Sequence, residues 1–335
     1  MDIYRKTVDR NKNKFRYYSK KNNRKITDKR TLKRILDLKI PPNYTKVKIS
    51  SIKNSKVQAI GEDQVGRKQY IYHKEFIEEQ QDIKFQDLIN FGKKIKRIRK
   101  DYKDNIEKEG PLDDKNKVIS MVLYLLDVCN FRIGTEEYKR RYNTYGVTTL
   151  NTEHILFRTG EAEISFVGKK SIVNTNLIKN NNVIKLLNSL CEKNKGREFL
   201  FYYKDEKKDK LFRVSSNHIS VYLKKYYPNL KPKMFRTWNG NSILLKYLLS
   251  LPKPQDEKEI KKNLREGIKK VAFALHNTVS VVKKSYCNSV IYETYLNNNE
   301  LFFEFINQNR KLNGDKKSTE SILTLFLIAY YKNNN

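Results

Sequence analysis

The chain has 335 residues, of which 38% are apolar, enough for two modest hydrophobic cores but not for several large domains. Its 70 lysines and arginines exceed its 37 acidic residues by 33, a charge that suits an extended polyanion such as nucleic acid. The 22 tyrosines and 16 phenylalanines exclude a disordered basic tail, because disordered segments contain few aromatic residues.

Several classes of site lack their usual sequence signals. Cys129, Cys191 and Cys287 are widely separated and form no CxxC pair, so we expect reduced thiols rather than disulfides or a zinc site. The histidines have no HxxxH or HExxH spacing, and no GxxxxGK[ST] phosphate loop is present, so we expect no metal and no cofactor. No signal peptide or run of eighteen apolar residues occurs, which predicts a soluble, intracellular protein that makes no contact with membranes.

The first part of the chain, residues 1–82, predicts a small mixed lobe. Residues 1–40 combine many basic residues with recurring aromatic and aliphatic ones, which indicates a folded basic segment. Short antiparallel strands are predicted where β-branched and aromatic residues are bounded by Pro, Asn and Gly, at 40–50, 56–61 and 66–73. A helix is predicted over 73–102, with the lobe boundary in its first turns, near residue 82.

The remaining residues, 83–335, predict a larger and mainly helical lobe. Residues 118–131 form the most apolar stretch and predict a buried helix. Residues 154–174 predict two strands, with turns at Gly160 and Gly168. Further helices are predicted at 176–192, 215–226, 239–250, 255–275, 288–306 and 317–332. The expected fold class is therefore α+β.

The residue types present favour phosphodiester chemistry performed by cations and a hydroxyl group. Cleavage without a metal requires a nucleophile, cations that neutralise the extra charge of the transition state, and an acid for the leaving oxygen. Arginine binds two phosphoryl oxygens through its planar fork, whereas lysine can donate a proton. Composition supplies all these types in excess and cannot choose among the 22 tyrosines.

Six sequence blocks, in order and spacing, resemble the compact type IB DNA topoisomerases of poxviruses, other large DNA viruses and bacteria. Each block alone is a weak signal, and the ordered set is a strong one. The blocks are IPPNYTKVKI (40–49), GRKQYIYH (66–73), FRIGTEEYKRRYNTYGVTTL (131–150), ISFVGKK (164–170), KMFRTWNGN (233–241) and HNTVSVVKKSY (276–286).

The resemblance implies most of a catalytic set. In that family the arginine of the FRIG block contacts the scissile phosphate, which corresponds here to Arg132. A KxxR pair at the head of a helix supplies a second lysine and arginine, here Lys233 and Arg236. The tyrosine nine residues beyond an NT or HT dipeptide is the nucleophile, here Tyr286.

Two further positions complete the set and leave alternatives open. The lysine of the FxGK hairpin turn acts as general acid in the family, which corresponds to Lys169, with Lys170 as its immediate neighbour. A phosphate-binding histidine of poxviral enzymes is replaced here by Asn277, with His276 just before it. Asparagine gives one neutral hydrogen bond where a charged histidine would give a stronger, charge-assisted one.

The GRKQYIYH block is the predicted base-contacting element. Strand alternation places Gln69 on one face and Tyr70 and Tyr72 on the other, and a tyrosine pair in the core is the alternative interpretation. In the family the corresponding residues lie on a sheet that enters the DNA major groove. The predicted DNA contacts are Arg67, Lys68, Gln69, Tyr70, Tyr72 and, on a helix starting in TEEYKRRY (135–142), Tyr138.

The resemblance therefore implies a bilobed clamp on double-stranded DNA. Its N-terminal lobe would be an antiparallel sheet with helices, and its catalytic lobe mainly helical with a small β-hairpin or sheet. The expected activity is relaxation of positive and negative supercoils through a 3′-phosphotyrosyl intermediate, without metal or ATP. We expect a monomer and, since the Lys and Asn bias favours a large DNA virus, a place in the virion or the host-cell replication compartment.

Three alternatives compete with this hypothesis. A tyrosine recombinase uses a similar Arg, Lys, Arg, Tyr set, but it typically carries HxxR where this chain has KMFR, and its N-terminal domain is helical. A DNA-packaging protein would explain the charge but not the ordered blocks. A metal-dependent nuclease has the least support, because the ligands are missing.

Overall fold

The computed structural model describes residues 1–9, 11–205, 208–312 and 315–333. It divides into two compact units, Met1–Lys84 (unit 1) and Phe85–Asn335 (unit 2). The boundary lies within the long helix α2 (Lys74–Glu107). Before this helix, unit 1 contains β1 (Ile3–Asp9), β2 (Lys14–Ser19), α1 (Lys29–Asp37), β3 (Thr45–Ile49), β4 (Val57–Glu62) and β5 (Lys68–Tyr72).

Unit 1 is built on one antiparallel sheet with strand order β2-β1-β3-β4-β5. Ile3, Ile49, Ala59 and Ile71 are aligned across four strands, and they belong to the same core as Ile35 of α1. Because side chains alternate along a strand, one face of the sheet packs on α1 and the other carries a different set of residues. We call the second face the open face.

The open face is basic and aromatic. One row of paired residues crosses all five strands, and Tyr4 stacks on Tyr18 within it, with the ring centroids 5.6 Å apart. The ammonium group of Lys6 lies 5.0 Å from the Tyr18 ring centroid. The row consists of Tyr18, Tyr4, Lys48, Ile60 and Tyr70.

Unit 2 is mainly helical. Its strands pair as a three-stranded sheet β6-β7-β8 and two small hairpins, β9-β10 and β11-β12. The elements in chain order are α3 (Lys115–Val128), α4 (Glu136–Tyr142), β6 (Ile155–Arg158), β7 (Glu161–Val167), β8 (Val173–Ile178), α5 (Asn181–Lys193), β9 (Tyr202–Asp205), β10 (Lys210–Arg213), α6 (Ser216–Leu223), α7 (Lys233–Leu249), α8 (Glu257–Ala274), α9 (Val279–Ser285), α10 (Ser289–Asn297), α11 (Asn299–Asn309), β11 (Lys311–Leu312), β12 (Asp315–Lys316) and α12 (Thr319–Asn333).

The core of unit 2 forms around α3, which is buried from Lys117 to Asp127. Helix α7 packs beside it, and Trp238 of α7 is fully buried. Gly92 of α2 permits this contact, because a Cβ atom there would lie 2.5 Å from the Trp238 ring. Loss of such a buried ring costs about 3–5 kcal/mol, so Trp238 fixes the position of α7.

The predicted α+β class is confirmed, and strands β3, β4 and β5 lie within or overlap the three predicted strand segments. Residues 1–40, for which no elements were predicted, form β1, β2 and α1. Among the described residues, no helix is both long and apolar enough to cross a membrane.

Several predicted boundaries in unit 2 are wrong. The helix predicted from residue 176 begins at Asn181, because Val173–Ile178 is a third strand paired with β7. The helix predicted from residue 239 begins at Lys233, directly after Pro232. The helix predicted over 288–306 is two helices, since the Asn298 side chain caps α11 by accepting from the Leu301 amide. Helix α9 and the β9-β10 hairpin were not predicted.

Candidate active site

Five of the six predicted catalytic side chains line one cavity in unit 2, with a volume of about 210 Å³. The sixth, Arg236, is buried against the ring of Tyr286, with its Cζ atom 5.3 Å from the ring centroid. The structure therefore brings together side chains from positions more than 150 residues apart in the sequence. The five that line the cavity are Arg132, Lys169, Lys233, Asn277 and Tyr286.

A close backbone crossing holds the segment that carries Arg132. A Cβ atom at Gly146 would lie 2.5 Å from the Gly134 nitrogen and 2.6 Å from the Arg132 carbonyl oxygen, so only glycine fits. The Arg132 carbonyl accepts a hydrogen bond from the Val147 amide at 2.9 Å. Its side chain is half-buried and donates through Nη2 to Asn277 Oδ1 at 2.7 Å. The buried Nη1 has no hydrogen-bond partner among the described residues.

The end of α8 places Asn277. The Asn277 amide donates to the Ala272 carbonyl and the His276 amide to the Phe273 carbonyl, which is a Schellman motif. His276 occupies its left-handed position, with φ 47°. The side-chain amide of Asn277 then connects Arg132 to the end of α8. Its Oδ1 accepts from Arg132, and its Nδ2 donates to the Leu275 carbonyl at 3.2 Å. Asn277 is thus a direct support of Arg132.

His276 lies beside this support and outside the set of residues that line the cavity. Its buried Nε2 has no hydrogen-bond partner among the described residues. Burial lowers the pKa of His276, and the charges of Arg236 and Arg132 lower it further. The imidazole is therefore held in its neutral form.

Helix α7 supplies Lys233 and Arg236 from its first turn. Residues three apart lie on the same side of a helix, so both side chains reach Tyr286. Lys233 Nζ is 5.2 Å from the Tyr286 ring centroid. The Arg236 fork donates to the Asn130 carbonyl and, at 2.7 Å, to the Leu275 carbonyl. Burial and the charge of Arg132 lower the pKa of Arg236 to about 10, against the opposing effect of Tyr286.

Tyr286 directly follows α9 and is 7% exposed. Asn241 of α7 holds the turn around it, because its Nδ2 donates to the Tyr286 carbonyl at 2.8 Å and its Oδ1 accepts from the Asn288 amide at 2.7 Å. Asn241 was not predicted as a site residue. The available signal was its place at the end of the KMFRTWNGN block.

The charges around Tyr286 set the state of its phenol. Burial raises the pKa of Tyr286, but the positive charges of Arg236, Arg132 and Lys233 outweigh burial and lower the pKa below its ordinary value of 10.0. A lower pKa increases the fraction of tyrosinate, which is the nucleophilic form.

Lys169 lies in the turn between β7 and β8. Gly168 leaves room for a buried side chain there, since a Cβ atom would lie 2.3 Å from Nδ2 of Asn174 and would force that side chain to move. Lys170, with φ 63°, turns the chain back towards β8. Lys169 and Lys170 are both exposed and both line the cavity, so both reach the site. Lys169 Nζ is also 6.0 Å from the ring centroid of Tyr138.

Strand β5 in unit 1 carries the other predicted DNA contacts. Tyr70 is 47% and Tyr72 39% exposed, which excludes the interpretation of a tyrosine pair in the core. Lys68 is exposed on the same open face. Gln69 is half-buried on the opposite face and donates to Asp63 at 3.0 Å. Hydrogen bonds from Arg67 lower the pKa of Asp63 to about 2, so Asp63 holds Arg67 and Gln69 together.

Helix α4 presents Tyr138, which is 45% exposed. The two acidic residues of its first turn would repel phosphate if they carried no counter-charge. Glu136 pairs with Arg213 at 2.7 Å and Glu137 with Arg141 at 3.1 Å. These ion pairs offset the negative charge beside Tyr138. In the part of the chain that the structure describes, no three His, Cys, Asp or Glu side chains could hold a metal together.

Comparison with known proteins identifies the family. The model of the eukaryotic DNA topoisomerase I catalytic core matches residues 73–311, and the model of the bacterial DNA topoisomerase IB N-terminal domain matches residues 14–63. The DNA topoisomerase 1B of Acanthamoeba polyphaga mimivirus is 34% identical, over 92% of this chain and 91% of that protein. The DNA topoisomerase 1B of Vaccinia virus (strain Copenhagen) is 26% identical, over 72% of this chain and 73% of that protein.

A third relative with a related name matches over a shorter stretch. The DNA topoisomerase 1 of Schizosaccharomyces pombe is 28% identical, over 48% of this chain and 20% of that protein. The match to the catalytic-core model, over residues 73–311, includes all six predicted catalytic residues. They are the five that line the cavity and Arg236. The chain belongs to the type IB DNA topoisomerases.

Proposed function

We propose that this enzyme relaxes supercoiled double-stranded DNA by reversible transesterification, with Tyr286 as the nucleophile. The observation that carries the proposal is a buried phenol whose pKa is lowered by three cations, next to a cavity lined by further cations. Such a site suits a phosphodiester, because it neutralises the negative charge that accumulates in the transition state.

Each side chain has a defined task in this reaction. The Tyr286 oxygen attacks phosphorus, the bond to the 5′ oxygen breaks, and Lys169 donates the proton that the departing oxygen takes up. Arg132, Arg236 and Lys233 neutralise the phosphoryl oxygens. Reversal of the same step, with the 5′ hydroxyl as nucleophile, reseals the strand after the free end has rotated.

Asn277 has a supporting task in this proposal. Its carbonyl oxygen accepts from Arg132, which keeps the guanidinium at the cavity. Nδ2 retains a second hydrogen after donating to Leu275, and we infer that this hydrogen contacts a phosphoryl oxygen.

We further infer that the reaction requires neither a divalent metal nor ATP, and that the chain acts as a monomer. The cations that the chemistry needs are side chains of the enzyme itself. Because similar proteins come from mimivirus and Vaccinia virus, we propose that the enzyme works in the virion or the host-cell replication compartment.

Relaxation of supercoiled plasmid in EDTA, without ATP, tests the proposal. Wild type is expected to relax both positive and negative supercoils. Tyr286→Phe is expected to bind the plasmid and relax neither. If wild type needs magnesium or ATP, the proposed chemistry is wrong, and if Tyr286→Phe still relaxes DNA, another residue is the nucleophile.

A further inference from the structure

A chain of hydrogen bonds joins Arg236 of the active site to helix α12, and one of its members, Asn130, lies two residues before Arg132 in the chain. We call it the asparagine network, because Asn239 of α7 lies at its centre. Asn239 follows Arg236 by three residues, and its side chain is directed at the end of α3. The members of the network are Arg99, Asp127, Asn130, Asn239 and Glu320.

Asn130 is held at two points by α7. Its carbonyl accepts from Arg236, and its side-chain Oδ1 accepts from Asn239 Nδ2 at 2.9 Å. Asn130 has a left-handed conformation, with φ 54°, and lies two residues beyond the end of α3 and two residues before Arg132. The contact of α7 with this one residue therefore links Arg236, which lies on α7, to the segment that leads into Arg132.

Asn239 is also bound to Asp127. Its Nδ2 donates to the Asp127 carbonyl at 2.6 Å and to the carboxylate at 3.2 Å. The Asp127 carboxylate is buried and also accepts from Arg99 at 2.7 and 3.0 Å and from Tyr102 at 2.8 Å. A buried charge with several partners fixes the geometry around it, because losing any partner is costly.

Glu320 brings α12 into the network. One carboxylate oxygen accepts from Arg99 Nη1 at 2.6 Å, and the other accepts from Trp238 Nε1 at 3.0 Å. Trp238 is the residue immediately before Asn239. The C-terminal helix is thereby hydrogen-bonded to the segment of α7 that holds Asn130.

We propose that Asn239 is a positioning residue that holds Arg132 and Arg236 as a pair at the scissile phosphate, and that Glu320 links α12 to this task. The inference rests on the proposed contact of the two arginines with phosphate. A polar network at this point specifies a geometry that an apolar contact of the same volume would leave undefined.

The test compares two duplexes that share one cleavage site, mapped first with wild type. In the second duplex a methyl group replaces one non-bridging oxygen of the scissile phosphate and removes the charge that the arginines neutralise. The rate of covalent adduct formation is measured at saturating enzyme. Asn239→Leu is expected to slow cleavage roughly thirtyfold on the phosphodiester, and about threefold or less on the methylated linkage, because only the first needs aligned arginines.

Asn263→Leu is the matched control. Asn263 is a buried asparagine of α8 that donates to the Tyr295 hydroxyl at 3.1 Å and has no bond to either arginine. It is expected to affect both duplexes equally. Equal slowing of both duplexes by Asn239→Leu, or no slowing, would overturn the proposal.

Two further variants distinguish a wrong role for Asn239 from a wrong assignment of the arginine–phosphate contacts. Arg132→Ala and Arg236→Ala must show the same selectivity for the phosphodiester. If they do not, the proposed contacts of the arginines are wrong. If they do and Asn239→Leu does not, only the role of Asn239 is wrong. Should Asn239→Leu fail to fold, Glu320→Gln replaces it, with an expected selective loss of roughly threefold; equal rates on the two duplexes would then contradict the network.

Discussion

In the proposed mechanism, the balance between burial and charge at Tyr286 determines how the cleavage rate depends on pH. Burial alone would favour the neutral phenol and a slow reaction. The surrounding cations reverse that effect and lower the pKa of Tyr286 below 10.0. Because tyrosinate is the attacking form in the proposed mechanism, more of that species is expected at a given pH than for an exposed tyrosine.

The first prediction concerns the pH profile of cleavage. The rate of adduct formation in single-turnover experiments is expected to rise with pH and to level off below pH 10.0, as Tyr286 loses its proton. Lys233→Ala removes a cation 5.2 Å from the ring and is expected to move the inflection to higher pH. Lys262→Ala, an exposed change on α8, serves as the control. If Lys233→Ala leaves the inflection at the same pH, the charge of Lys233 does not affect the pKa of Tyr286.

Among the elements of unit 2, the crossing of the segments at Gly134 and Gly146 connects stability to catalysis. Gly146→Ala is expected to destabilise the enzyme by about 3 kcal/mol or more, because its Cβ would overlap backbone atoms that cannot move independently. Adduct formation should fall with it, since Arg132 lies on the crossing segment of the chain. Urea unfolding and single-turnover cleavage measure the two effects.

Gly160→Ala is the control for backbone strain alone. Gly160 has φ +76°, but a Cβ atom added there would meet no other atom within 4 Å, so the cost should be about 1 kcal/mol. If the two variants lose equal stability, the crossing is not a tight contact.

The open face of the sheet in unit 1 gives a third prediction. Tyr70→Ala combined with Tyr72→Ala is expected to weaken duplex binding roughly tenfold, since exposed rings can pack on bases or sugars. Gln69→Ala is expected to have a smaller effect, because its amide is already bound to Asp63. Affinity is measured with Tyr286→Phe, so that no adduct forms. A larger loss for Gln69→Ala would indicate that the other face of β5 meets the DNA.

Elements with local signals could be predicted from the sequence, whereas those set by tertiary contacts could not. Strands β3 to β5 and helix α3 have clear alternation or apolar runs. Strand β8 overlaps a predicted helix, because its Val173 and Leu177 are exposed while Asn174 is buried, so its sequence shows no apolar face and its pairing with β7 supplies the stabilisation. The six catalytic candidates came from family motifs. Asn239 and Asn241 could not be found from residue types, because an asparagine becomes informative only through its partners.

For the whole molecule, a net charge of +33 predicts binding dominated by counterion release. With six or more phosphates neutralised, duplex affinity should fall about 10³-fold or more between roughly 50 and 200 mM salt. Binding of Tyr286→Phe to labelled duplex, plotted as log affinity against log salt, gives the slope. A slope near zero would contradict an electrostatic interface.

The bond from Asn241 to the Tyr286 carbonyl has a mechanical consequence. In the proposed mechanism a DNA end is attached to Tyr286, so rotation of the other end exerts torque on the protein through this one residue. Helix α9, which directly precedes Tyr286, has only seven residues. Asn241 is bonded to the Tyr286 carbonyl and to the Asn288 amide, and it lies on α7, three residues after the fully buried Trp238. The hydrogen bonds of Asn241 therefore transmit the force to a helix that packs in the core of unit 2, which keeps the attached strand end aligned for resealing while the duplex turns.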